Sequence, residues 1–334
     1  MWDINKVRII DIAEELKVST ATVSNVLHGK TKKISDETVK LVEKKLEERG
    51  YIPNMAATLL ARNNSRIIGV VVNNHKKYEG HTFEDPFISA ALNCLSDEIE
   101  ENNYFMLVKK ARDIMQVVNF SSMWNLDGMI LIGFCADDYQ NLRDHIRVPF
   151  VVYDGVMKSQ DRICNVTIDD FDGGKQAGKY LRSKGHKKVL CIADNEICMD
   201  LDRYKGLCQG LESKAGFMKV PMQEDESHSF YEKNISSILS YSAVFAVSDY
   251  YAIDLISFLA EKQVRVPEDI SVMGFDGSRD CKKIFPHLTT ISQSNSLRAK
   301  VSLELLKKML CQGDFTDSVK LPVSLVEGCS VKEI

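Results

Sequence analysis

The sequence has no long uncharged apolar run, no Cys-x-x-Cys pair and no large excess of either charge. The first absence leaves no stretch able to cross a bilayer as a helix. The opening residues, MWDINKVR, carry no apolar signal-peptide core, so a cytoplasmic location is expected. The nine cysteines are scattered singly, which reads as reduced, mostly buried thiols rather than a disulfide frame or a zinc site. A net charge of −4 excludes a uniformly basic nucleic-acid binder. What is present suits an ordinary soluble protein: 334 residues, 44% hydrophobic and 27% charged, enough for two or three domains and a substantial core. The charge is unevenly spread. Residues 1–62 hold eleven Lys or Arg against nine Asp or Glu, a net +2, so the remainder carries −6. That is the direction expected if a small head meets phosphates while the body avoids them.

Within this head, DIAEELKVSTATVSNVL (11–27) carries two short helical patterns back to back. Ile9, Ile12, Ala13 and Leu16 recur at helical spacing, and Ser19 is a natural N-cap for a second helix. That helix puts Thr20, Ala21, Ser24 and Asn25 on one side and Val23, Val26 and Leu27 on the other. A helical hairpin can look like this. So does a DNA-binding helix-turn-helix, whose second helix offers short polar side chains to base edges in the major groove. The following Gly29-Lys30-Thr31 is no phosphate loop, because the earlier glycine it needs falls at Ser24 and no strand precedes it. Lys30, Lys32 and Lys33 fit backbone-phosphate contacts better, or solvated loop charges. A third helix starts at Ser35, lines one face with Val39, Val42 and Leu46, and stops at Gly50. After Pro53 comes MAATLL (55–60), helix-compatible but too short to be stable alone. A polar linker follows, with the domain boundary between about Asn63 and Arg66.

From Arg66 the pattern changes to apolar runs alternating with amphipathic helices. The runs are 67–72, 105–108, 128–133 and 149–154, then 165–169, 189–194, 243–249 and 270–276, as buried parallel strands require. Helices are expected at 88–102, 114–124, 139–147, 174–184, 203–215 and 251–263. Two doubly wound lobes follow, an α/β body. Asp154, Asp169, Asp194, Asp249 and Asp276 stand at or beside strand ends, where ligands bind in open parallel sheets. Each could equally be a helix cap.

Ordered matches now accumulate: VSTATVSNVL, ISDETVKLVEKKLEERGYIPN with Ala57 and Leu60, Asp85-Pro86-Phe87, LDG (126–128), VPFVVYDG (148–155), Arg203-Tyr204-Lys205-Gly206, VRVPEDISVMGFD (264–276), PHLTTISQ (286–293) and LPVSLV (321–326). By these the chain resembles the lac repressor/galactose repressor family of bacterial transcription regulators over nearly its whole length. The resemblance implies a helix-turn-helix head (1–52), a hinge helix and linker (53–65), and a two-lobed, periplasmic-binding-protein-like core (66–334). Lobe one is expected at about 66–163 and 293–318, lobe two at about 164–292 and 319–334. It implies a homodimer whose heads read a pseudo-palindromic double-stranded DNA operator, with no cofactor and no membrane. The DNA-contacting set is then Ser19, Thr20, Ala21, Thr22, Ser24, Asn25 and His28 in the head, with Asn54, Ala57 and Leu60 in the hinge. Leu60 is placed as the minor-groove wedge, whose unstacking cost is offset by a bend that brings more protein onto DNA. The cleft set is Phe87, Asp154, Arg203, Ser248, Asp249 and Asp276, suited to a sugar or sugar-derived effector: carboxylates accept hydroxyls, arginine donates in a fork and an aromatic covers an apolar sugar face.

Departures from the family's pattern matter as well. Asn25 replaces the more usual arginine, and asparagine pairs with adenine where arginine prefers guanine. Ser248 stands where an asparagine precedes the aspartate, which removes a sugar-binding amide. Lys17 and Asn103 replace glycines that end helices, so both should adopt the left-handed conformation. The loop 73–85 is longer than usual, and reads as a surface insertion, a lid or a partner site. His75 and His81 there lack a cysteine or third histidine to make a metal site. An enzyme built on Rossmann-like lobes is the rival class, but no GxGxxG follows a strand and no nucleophile–base pair stands out. Control by a phosphoprotein co-regulator instead of a small effector is the rival within regulation.

Overall fold

Ile12, Val23 and Val42 have no exposed surface, and each comes from a different short helix. These are α1 (Ile9–Leu16), α2 (Thr20–Leu27) and α3 (Asp36–Glu48), which with Ala13 and Val26 close a small core. The computed structural model describes residues 7–51, 65–134, 136–155, 163–313 and 315–334. The chain divides into two units, 1–65 and 66–334. Hydroxyl caps start the later head helices: Ser19 accepts the Thr22 N–H at 3.0 Å and Ser35 that of Thr38 at 3.3 Å. Between α1 and α2, Lys17 takes φ +55°, the left-handed turn that its place in the sequence demanded. Asn103 does the same at φ +61°.

In the second unit, the apolar runs become strands, most of them buried on both faces, although the edge strand at 105–111 is only partly covered. The first sheet has the order β11–β5–β4–β3–β1–β2, all parallel. Its strands are β1 (Ile67–Asn73), β2 (Phe105–Ala111), β3 (Gly128–Ile132), β4 (Phe150–Tyr153), β5 (Cys164–Ile168) and β11 (Ser318–Leu321). Alternation sorts their side chains. Ile68, Val70, Val72, Ile130, Ile132, Val151 and Tyr153 join one core with α4 (Pro86–Glu101) and α11 (Asn295–Gln312). Val71, Met129, Leu131, Phe150 and Val152 join another with α5 (Ile114–Met123) and Tyr139 and Leu142 of α6 (Ala136–His145).

The second sheet has the order β12–β10–β9–β8–β6–β7, parallel except for β12 against β10. It comprises β6 (Val189–Ala193), β7 (Gly216–Lys219), β8 (Ala243–Ala246), β9 (Ser271–Asp276), β10 (Thr289–Ser292) and β12 (Ser324–Val326). Its helices are α7 (Asp170–Ser183), α8 (Cys198–Leu211), α9 (Glu224–Ile238) and α10 (Asp249–Glu261). The lobe boundary lies later than the sequence suggested. Residues 164–168 pair with β4 and 319–321 with β5, so both belong to lobe one rather than lobe two. An apolar strand reads alike in either sheet, and only pairing decides. Helices α4, α6, α7, α8 and α10 begin two to five residues before the expected starts, because a capped first turn carries Asp, Pro or Cys without apolar spacing.

Three segments therefore cross between the lobes: β5 into α7, β10 into α11, and β11 into β12. Among the described residues no helix is long and apolar enough to cross a membrane.

Candidate functional site

The exposed side of α2 is short and polar. Ser19, Thr20, Ala21 and Asn25 are exposed, Ser24 and His28 are half-buried, and Val23 and Val26 face the head core. Thr22 is half-buried, with its hydroxyl 2.8 Å from that of Ser19, so it serves the cap. Lys30, Lys32 and Lys33 are exposed in the turn before α3. Asn54, Ala57 and Leu60 lie outside the described residues.

In the body, the strand ends gather a polar cluster around two buried arginines. Arg203 on α8 is 6% exposed, and its Nε donates to Asp170 at 2.8 Å. Nη1 donates to the Val247 carbonyl at 2.6 Å, and the guanidinium lies 3.8 Å from the Phe275 ring centre. Close helix packing seats it there. A Cβ on Gly174 would collide with the Arg203 carbonyl oxygen, and one on Gly206 with that of Phe171, so α7 and α8 touch backbone to backbone. The second arginine, Arg298 on α11, is fully buried. Its Nη2 donates to Gln293 Oε1, and Nη1 lies 3.2 Å from Asp154 Oδ1. Gln293 in turn donates to Asp276 at 2.6 Å. The links Asp276–Gln293–Arg298–Asp154 thus run from lobe two to lobe one through the β10–α11 crossover.

Phe87, Asp154 and Asp276 are accordingly linked, with Phe87 6.2 Å from Tyr153 and 5.5 Å from the Arg298 guanidinium, while Arg203 acts on Asp276 only through its charge. Ser248 and Asp249 are engaged inside lobe two instead. Ser248 caps α10 by accepting the Tyr251 N–H at 3.4 Å. Asp249 accepts from Thr290 at 2.6 Å, the Ser278 N–H at 2.7 Å and the Cys281 thiol at 3.0 Å, which ties α10 to the loop after β9. Sequence reasoning missed Asp170, Gln293 and Arg298. A signal existed for the last: Arg298 falls on the stripe that also buries Ser302, Leu305 and Met309. An arginine on a core stripe needs a partner.

Crowded carboxylates and burial shape the protonation of this cluster. Burial pushes Asp276 up to about 8 and Asp170 up to about 6, both against the pull of Arg203. Asp200 rises to about 7 for the same reason, with Asp194 adding to it. Asp194 itself is buried, yet Lys77 and the Tyr251 hydroxyl at 2.9 Å hold it below the usual range. A carboxyl with a raised value keeps in the folded body a proton that the unfolded chain has released. Between the ordinary carboxylate value and about 8, folding therefore binds protons, and stability falls as pH rises. The body is expected to melt at a higher temperature near pH ~6 than near pH ~8.5, and Asp276→Asn should flatten that slope. A melting temperature that climbs over this range would contradict the assignment.

The long loop reaches toward lobe two. Burial works against the Lys77 charge, but Tyr78, Asp194, Asp85 and Asp200 raise it above its ordinary value. A cavity of about 910 Å³ is lined by Asn73, His75, Lys76 and Arg112 from lobe one and by Gln223 and Glu226 from lobe two. A second, of about 510 Å³, is lined by Phe83, Lys109, Lys110 and Arg112. None of the expected cleft residues lines either one. Among the described residues no group of His, Cys, Asp and Glu could hold a metal.

Comparison with known proteins bears on both units. Residues 8–54 match the model of bacterial regulatory proteins of the lacI family, and residues 179–331 that of a periplasmic binding protein-like domain. The HTH-type transcriptional repressor PurR of Mannheimia succiniciproducens is 28% identical over 98% of this chain and 99% of its own. The HTH-type transcriptional regulator MalR of Clostridium butyricum is 29% identical over 96% and 97%. A lac repressor dimer bound to operator and an anti-inducer superimposes with a TM-score of 0.83, at 22% identity over 98% of this chain and all of that one. A regulator from Enterococcus faecium with bound ribose gives 0.69, at 24% identity over 80% and 99%.

Proposed function

This chain belongs to the lacI family of bacterial regulatory proteins, and from that membership we propose a dimeric, cytoplasmic transcriptional repressor that reads a pseudo-palindromic operator and answers to a sugar-derived effector. The observation that carries the DNA reading is α2: its cap is locked by Ser19, its apolar side is buried, and Thr20, Ala21 and Asn25 are left free at the surface. Lys30, Lys32 and Lys33 supply phosphate contacts beside it. Leu60 is the residue placed as the wedge at the central base step. An effector that parts the hinges then lowers operator affinity. Nothing in this scheme calls for catalysis.

Selection of operators from random DNA by the full-length protein tests the reading, and recovered sites should be two inverted half-sites. Asn25 should favour adenine at one position of each half. Asn25→Arg should move that preference to guanine, with discrimination of about 1–3 kcal/mol. Sites without a palindrome remove the dimeric scheme, and an unchanged base preference removes Asn25 from the readout.

For the effector, the supporting features are the linked Phe87, Asp154 and Asp276, the buried Arg203 whose charge acts on Asp276, and the ribose held by the Enterococcus faecium relative. The 510 Å³ groove with Lys109, Lys110 and Arg112 favours the alternative of a phosphoprotein co-regulator. A saturable thermal shift with a sugar or sugar derivative would weigh against that alternative.

A further inference from the structure

Arg298 is the most enclosed charge in the body, and its hydrogen-bonding is incomplete. Tyr153 and Phe87 cover the guanidinium at 5.1 and 5.5 Å, and no part of the residue is exposed. Gln293 takes one Nη2 hydrogen. Nε and Nη1 complete no hydrogen bond with any described residue, although Nη1 has the Asp154 carboxylate 3.2 Å away. Asp154 Oδ1 is left equally unmet. Buried donors and acceptors in this state are unfavourable, and they are resolved by anything that brings the complementary atoms. Asp154 is also held at φ +68°, a left-handed conformation that an aspartate seldom takes without a reason in its surroundings. Unmet donors and an unmet acceptor thus coincide where β4 ends, on the side of the cluster that belongs to lobe one.

We propose that Arg298 is a specificity-determining residue of the cleft, and that it takes the carboxylate of a polyhydroxy acid while a neighbouring hydroxyl of that ligand donates to Asp154. The inference rests on the cleft being an effector site, and it narrows the effector class. Gln293 takes one Nη2 hydrogen, and the other lies parallel to the unmet N–H on its own side of the planar guanidinium, Nε or Nη1. Such an edge matches the two oxygens of a carboxylate, whereas a single neutral hydroxyl would satisfy one donor. The ammonium of a lysine would not offer that geometry. A phosphate dianion fits less well than a carboxylate monoanion, because Asp154 beside Arg298 and Asp170 beside Arg203 already place negative charge in the same cluster. The hydroxyl donor is needed as much as the acid, since Asp154 Oδ1 can only accept when ionised.

The test is titration of the full-length protein, followed by thermal shift and calorimetry, with three matched series: hexuronates and aldonates, their neutral parent hexoses, and hexose phosphates. One of the acids should bind saturably and at least ~10-fold more tightly than its neutral parent or its phosphate. Arg298→Leu should abolish that preference. Arg298→Lys, which keeps the charge and most of the volume, should weaken the acid by at least ~10-fold and serves as the second variant should the leucine form fail to fold. A hexose or hexose phosphate that binds as tightly as the acid overturns the inference and leaves the effector reading standing. So does an acid preference that survives in either folded variant. No saturable shift from any of the three series overturns the inference and the effector reading together.

Discussion

Val23→Asp should abolish operator binding while the body keeps its own melting transition. Val23 has no exposed surface, and only four other apolar side chains, Ile12, Ala13, Val26 and Val42, are buried with it in the described head. Removing the valine forfeits about 1.5–3 kcal/mol of burial, and an ionised carboxylate in its place costs several kcal/mol more. A head this small has little stability in reserve. The whole recognition surface depends on it, because Thr20, Ala21 and Asn25 are aimed by the burial of Val23 and Val26 on the opposite side of α2. Operator affinity measured by titration should fall by ~100-fold or more, toward non-specific binding. Val23→Ala should fall between the two, at about 1–3 kcal/mol of head stability. Because residues 66–334 form a separate unit, the body's transition in calorimetry should not move. Retention of operator affinity within ~10-fold would show that α2 is not the reading element.

Arg203→Leu should destabilise the body by about 3–5 kcal/mol, the cost of leaving a buried charge without its partner. Asp170 is 8% exposed, and its hydrogen bond from Arg203 would be lost along with the one to Val247. Asp276 would lose the positive charge that opposes its rise. Denaturant unfolding reads the effect directly. The double variant Arg203→Leu/Asp170→Leu should recover much of the loss, since removing both members of a buried pair is far milder than stranding one. A double variant no more stable than the single one would place the cost in the packing of Arg203 against Phe275, not in its charge. On the proposed cleft reading, effector response should vanish in both variants, because neither keeps the arginine at the strand ends.

Most of the architecture was legible because the apolar runs are buried on both faces, as in β1 and β3, and such runs have few other homes. The exchange of β5 and β11 into the first sheet was not legible. Cys164–Ile168 is apolar enough for either lobe, and its membership depends on hydrogen bonds to β4 that no local pattern encodes. Helix α9 also escaped, since Glu224–Ile238 opens with charged and polar residues and has no strong apolar stripe. In the head, Ser19, Val23 and Lys17 could be placed because capping, burial and left-handed turns act within a few residues. In the cleft, Asp249 looked like a ligand contact because its position at a strand end is a local fact. Its partners Thr290, Ser278 and Cys281 come from 29 to 41 residues away. For Arg298 the buried stripe was legible, but its partners Gln293 and Asp154 were not, since Asp154 meets it only when α11 returns to lobe one.

Arg203 and Asp170 are nearly sealed, and Arg298 is sealed completely. An effector that contacts Arg298, as proposed above, can therefore meet it only after the lobes leave this arrangement, and opening comes before capture. The consequence is kinetic. With rising effector concentration the observed association rate should level off at the rate of opening. On the proposed reading, in which the effector lowers operator affinity, a larger dose beyond that concentration cannot hasten release from the operator, and the delay before the regulated genes respond becomes a fixed property of the protein itself.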